Sequence, residues 1–159
     1  MCSEYEDMVQ YAFNEGVQVI EYDFNGDLGG YYCDGYIFID KFAAENDKLT
    51  FLAEEIGHYH TATENISELD TIEKLKQEHQ GRNWAIKKLV PFDDIIESII
   101  KGSNTLYQVA DDLDLPVDFL NEAIAYYHKK YGSSYDYDGY TVLLSSNSVI
   151  VHPAFWEWE

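Results

Sequence analysis

Basic residues are scarce in this 159-residue chain, which has 10 Lys plus Arg against 30 Asp plus Glu and a formal net charge of -20. A field of that sign repels phosphate backbones and anionic headgroups, so neither direct nucleic-acid binding nor a membrane-surface partner is expected. Cysteine is scarce too. Cys2 and Cys33 are too few for a disulfide framework and show no metal-pair spacing, which fits a reducing compartment. No apolar run approaches the ~18 to 20 residues that cross a bilayer, and there is no internal repeat. Residues 1–10 hold three acidic groups and no basic one, the wrong charge for an export signal. A cytoplasmic protein is the expectation. What the chain does have is apolar material, 46% hydrophobic and 16% aromatic, enough to offset the entropy of ordering one domain of this length.

Tyr5, Met8, Val9, Ala12 and Phe13 recur at helical spacing behind Ser3, a good N-cap, up to Gly16. Residues 17–22 alternate as a strand, and 31–33 and 36–39 flank Asp34-Gly35, a type I′ hairpin turn. A small antiparallel sheet is therefore expected. Asn46 or Asp47 can cap a helix with Leu49, Leu52, Ala53, Ile56 and Tyr59 on one stripe, and a longer helix over 67–90 stops at Pro91. Residues 92–101 form another amphipathic helix. Residues 105–131 read as helix, tight turn and helix, with Pro116 at the start of the second. Residues 141–144 and 149–152 form a closing hairpin. The expected fold is α+β in a single domain over 1–159: sheet and metal-site helices in 1–91, a helical segment in 92–131 and a hairpin tail in 132–159.

The informative stretch is Leu52-Ala53-Glu54-Glu55-Ile56-Gly57-His58-Tyr59-His60. It nearly spells HExxH, in which two residues four apart on a helix bind one metal and the residue after the first acts as general base. In that register Glu54 and His58 are ligands and Glu55 is the catalytic base. Glutamate in place of the first His is an acceptable zinc ligand, and it also admits manganese or another harder divalent ion. Glu78, on the next helix, is the candidate third ligand, and Gly81 removes the side chain that would hold two helices apart. His60 lies about 200° around the helix from His58, so it would support the site or polarise substrate rather than bind the same ion. The competing account of Glu-Glu-x-x-His in so acidic a chain is a solvated helix face. His79 and His128 read as surface residues, and His152 as structural.

Order and wording over 17–131 resemble the ImmA/IrrE metallo-endopeptidases. The likeness is carried by Gly-Tyr-Tyr-x-x-Gly-Tyr-Ile-Phe-Ile-Asp at 30–40, by the Leu52 to Tyr59 stretch, by Glu78 six residues before Trp84-Ala85, and by Lys88-Leu89-Val90-Pro91. It is similar to a branch of phages and prophages with Glu-Glu-x-x-His. The resemblance implies that His58 and Glu78 are zinc ligands, that Glu55 is the catalytic glutamate, and that Glu54 stands at the first ligand position. Tyr59, His60 and Arg82 would be supporting or substrate-polarising neighbours. Arg82 replaces a family Asn, four residues after Glu78, where it can pair with that carboxylate. The implied activity is zinc-dependent cleavage of a cytoplasmic regulatory protein such as a helix-turn-helix repressor.

Two alternatives belong to other classes: a non-catalytic antirepressor that keeps the fold and binds a basic repressor, and an acidic DNA mimic. The helix-turn-helix-like segment of this chain opens its second helix with Pro-Val-Asp-Phe-Leu-Asn-Glu, whose charges oppose phosphate contact, so it reads as packing or protein recognition.

Overall fold

The computed structural model describes residues 2–61 and 71–154; the expected start of the long helix at 67–70 and the aromatic-acidic end at 155–159 lie outside them. The fold is α+β, with six helices and two three-stranded sheets among the described residues. The chain divides into two compact units, Met1–Leu89 and Val90–Glu159. Pro91 marks the passage between them. No helix among the described residues is long and apolar enough to cross a membrane.

In the first unit α1 (Glu4–Asn14) starts with a full capping box: the Ser3 hydroxyl accepts from the Glu6 amide and the Glu6 carboxylate accepts from the Ser3 amide. Three strands follow, β1 (Gln18–Tyr22), β2 (Gly30–Cys33) and β3 (Tyr36–Asp40), ordered β1-β3-β2. β2 and β3 form the expected hairpin, with Asp34 at φ 48° and Gly35 at φ 84° in its turn. β1 differs from the all-antiparallel expectation, because it runs parallel to β3 and makes the sheet mixed. β3, whose Ile37 and Ile39 are fully buried, takes the centre, and β1 and β2 pair with its two edges. Next come α2 (Glu45–Thr61) and α3 (Thr71–Leu89). α2 buries Leu49, Leu52, Ala53 and Ile56, each large side chain contributing about 1.5 to 3 kcal/mol.

The second unit holds α4 (Phe92–Ile100), α5 (Leu106–Asp112), α6 (Val117–Tyr131) and the meander β4 (Ser134–Tyr137), β5 (Tyr140–Ser145) and β6 (Ser148–Pro153). Pro116 is the N-cap of α6, one residue earlier than expected. The closing hairpin is β5 and β6, and β4 adds a third strand through Asp138-Gly139, a turn of the same positive-φ kind as Asp34-Gly35. Phe92, Ile95, Ile96, Leu120, Ile124 and Val142 form the core. The Tyr127 hydroxyl donates to the Val90 carbonyl at 2.8 Å.

Candidate active site on helices α2 and α3

Gly57 on α2 and Gly81 on α3 let the two helices meet backbone to backbone. A Cβ on Gly57 would overlap the Gly81 carbonyl, and a Cβ on Gly81 would stand 2.5 Å from His58 Nδ1. Neither residue can be larger. This contact lays the His58 ring against α3, where its buried Nδ1 faces the backbone around Gln77 and Gly81 without a well-formed hydrogen bond. Gly30 closes the other side: a Cβ there would lie 3.1 Å from Glu55 Cγ, so β2 approaches the Glu55 side chain directly.

Glu54 sits one turn before His58, and both its carboxylate oxygens meet Arg82. Nε lies 3.0 Å from Oε1, and Nη2 donates to Oε2 at 3.2 Å. This is the two-point geometry that makes Arg a strong carboxylate partner. Burial still holds the Glu54 carboxyl above its ordinary value, against the pull of Arg82. Glu55 is more perturbed: burial first, then the Glu54 and Glu78 carboxylates, push it up to about 7. His58 is shifted down by burial, with Glu78 pulling the other way, so its neutral form is favoured.

Glu54, Glu55, His58, Glu78 and Arg82 thus belong to one electrostatic cluster built from two helices. Among the described residues, no group of three or more His, Cys, Asp or Glu side chains stands at metal-holding distance; the oxygens of Glu54 are engaged with Arg82. Tyr59 and His60 are seated elsewhere. The Tyr59 hydroxyl donates to the Glu15 carbonyl at 3.2 Å, while His60 joins Tyr11 (Nε2 to hydroxyl oxygen 3.3 Å) and Trp84 (ring centroids 5.2 Å) in an aromatic cluster. Gly57 and Gly30 escaped the sequence reading. The signal was there in a glycine inside an otherwise regular helix, which calls for a packing reason.

In kind, these donors are ones a divalent cation takes: carboxylate oxygens and an imidazole whose neutral form is favoured. Glu54, Glu55 and His58 are half-buried and Glu78 is exposed, and the Arg82 guanidinium is the counter-charge to Glu54. No protein-family model matches this chain, and no curated protein matches it.

Proposed function

We propose that the chain is a zinc-dependent endopeptidase of the ImmA/IrrE kind that cleaves a cytoplasmic regulatory protein, such as a helix-turn-helix repressor. The observation that carries this reading is the backbone contact at Gly57 and Gly81, which sets a half-buried imidazole, its buried Nδ1 without a well-formed partner, beside the half-buried Glu54 and Glu55 carboxylates. Buried groups left so poorly matched reduce stability and are retained for chemistry or binding.

His58, Glu78 and Glu54 would hold the ion, Glu54 turning from Arg82 to do so. The bound ion supplies a Lewis acid that polarises a peptide carbonyl and acidifies water. Glu55, with a proton affinity near neutrality, accepts a proton from the attacking water and returns it to the leaving amine. Gly30 leaves room for that carboxylate, since a Cβ there would lie 3.1 Å from Glu55 Cγ. Arg82 keeps Glu54 neutralised whenever the cation is absent.

The same Arg82–Glu54 pair favours a second reading, a non-catalytic antirepressor, since a guanidinium already balances the carboxylate at the first ligand position. Incubating the protein and Glu55→Gln with a helix-turn-helix repressor, in zinc or manganese, separates the two. The peptidase reading expects fragments from the wild type alone. If neither protein yields fragments, yet both release the repressor from its operator, the antirepressor reading replaces it.

A further inference from the structure

The sheet of the first unit has two unlike faces. Strand alternation turns Tyr32, Ile37 and Ile39 toward α2, where Ile37 and Ile39 are fully buried and the Tyr32 ring meets Tyr59 at 5.8 Å. The opposite face carries Ile20, Tyr22, Tyr31, Tyr36 and Phe38. Register gathers these side chains, since Phe38 pairs with Ile20 on one side and with Tyr31 on the other. The rings run on as a strip, with Tyr22 at 6.0 Å and Tyr36 at 6.5 Å from Phe38, and Phe24 at 5.0 Å from Tyr22. Tyr22 and Tyr31 each remain 52% exposed and Tyr36 42%. Scattered apolar residues are ordinary on a surface, but a contiguous patch marks an interaction site.

The charge around this strip is mostly negative, with Lys41 after Asp40 as the neighbouring cation, its ammonium 5.0 Å from the Phe42 ring centroid. Residues 18–40 contain five carboxylates and no Lys, Arg or His. Glu21 is engaged by Lys48 on the α2 side, at 2.7 Å. Of the others, Asp23 directly follows Tyr22, Asp40 pairs with Tyr22 in the ladder, and Asp34 sits in the turn next to Tyr36. Aromatic sheet faces also stack single-stranded nucleic acid, but those sites need a cationic track for the backbone, and here carboxylates stand in its place. A second copy of this chain would bring the same carboxylates face to face. Arginine suits the surface on both counts, because its planar guanidinium stacks on aromatic rings and pairs with carboxylates.

We propose that the aromatic face of the β1-β3-β2 sheet is a docking surface for an arginine-bearing basic segment of a protein partner. It stands apart from the metal chemistry. A peptidase would use it to hold its substrate away from the bond that is cut, and a non-catalytic protein would use it as the interface itself.

The test uses the full chain at 150 mM salt and a labelled decapeptide alternating Arg and Leu, with Lys-Leu and Glu-Leu versions and an oligouridylate as comparisons. The arginine peptide is expected to bind tightest. Tyr31→Ser with Tyr36→Ser should weaken it by about tenfold or more, and Asp23→Asn with Asp34→Asn by about three- to tenfold. Asp111→Asn with Asp112→Asn, an equal charge loss on α5, should change it by less than about twofold. Asparagine tolerates the positive φ of position 34, so the Asp variants test the surface even if the Tyr variant does not fold. The proposal is overturned if the folded Tyr variant binds within about twofold of wild type. It is equally overturned if the α5 pair weakens binding as much as the sheet pair, or if the lysine peptide, the glutamate peptide or the oligouridylate binds as tightly as the arginine peptide. Zinc binding is measured separately, so failure here leaves the peptidase reading standing.

Discussion

Polar groups are buried in both units, but on opposite terms. In the second unit the Tyr127 hydroxyl donates to the Val90 carbonyl at 2.8 Å, and Ser98 shares a hydrogen bond with Ser103 at 3.0 Å. Each buried group there has a neutral partner, so its burial costs little and fixes the packing. In the first unit Thr50 is satisfied in the same way, its hydroxyl donating to the Asp47 carbonyl at 2.9 Å, but the half-buried groups beside Gly57 ionise. Glu55 is raised to about 7 with two carboxylates nearby, and His58 Nδ1 has no well-formed partner. Among the described residues, the buried side-chain polar atoms that lack a well-formed hydrogen bond all lie in the first unit, and the proposed cation would relieve the carboxylate repulsion there. That difference is what supports placing the proposed cation site in the first unit.

The largest test of the contrast is steric. Gly57→Ala drives a Cβ into the Gly81 carbonyl, where backbone must move, and should cost about 3 kcal/mol or more of unfolding free energy in denaturant titration. A loss below about 1 kcal/mol would mean that the helices are not in backbone contact.

Next is Glu55→Gln, read as stability against pH in metal-free protein. The folded pKa of Glu55 lies above its unfolded value, so its contribution is most favourable below about pH 4.5 and is lost as pH rises through about 7. The glutamine variant should therefore match wild type near pH 4.5 and exceed it by up to about 3 kcal/mol at pH 8. An offset that does not change with pH would remove the desolvated carboxylate from the account.

Arg82→Gln should cost metal-free protein about 1 to 2 kcal/mol, because the pair it breaks is only partly shielded from solvent. The same change should tighten zinc binding about tenfold, since Glu54 no longer has to leave its partner. Unchanged affinity would show that Glu54 is not drawn to the ion. The smallest effect is expected in the second unit: Tyr127→Phe should cost about 1 kcal/mol, equally at pH 5 and pH 8.

Periodicity made α1, α2 and the Asp34-Gly35 hairpin legible, because capping and turn chemistry act within a few residues. The register of Glu54, Glu55 and His58 was legible for the same reason. What escaped depends on partners distant in sequence. Arg82 lies four residues after Glu78, so a local reading pairs it there, yet its two-point partner is Glu54 on the other helix. The parallel run of β1 along β3 joins strands that are not consecutive in the chain, so no turn signal announces it. Helical spacing separates His60 from His58 on α2, but its seat beside Tyr11 and Trp84 needs α1 and α3 to be in position. β4 was signalled by Asp138-Gly139, a turn that the Tyr/Asp richness around it obscured.

The most direct test of a cation-requiring site is calorimetric titration of zinc into metal-free protein, beside His58→Ala, with melting temperatures taken at each end point. Neutral imidazole is needed for binding, so the titration belongs at about pH 7.5, above the ordinary histidine value near 6.5. The account predicts one equivalent bound by the wild type and a raised melting temperature, with both effects absent in His58→Ala. No binding by the wild type, or an identical titration of His58→Ala, would contradict it.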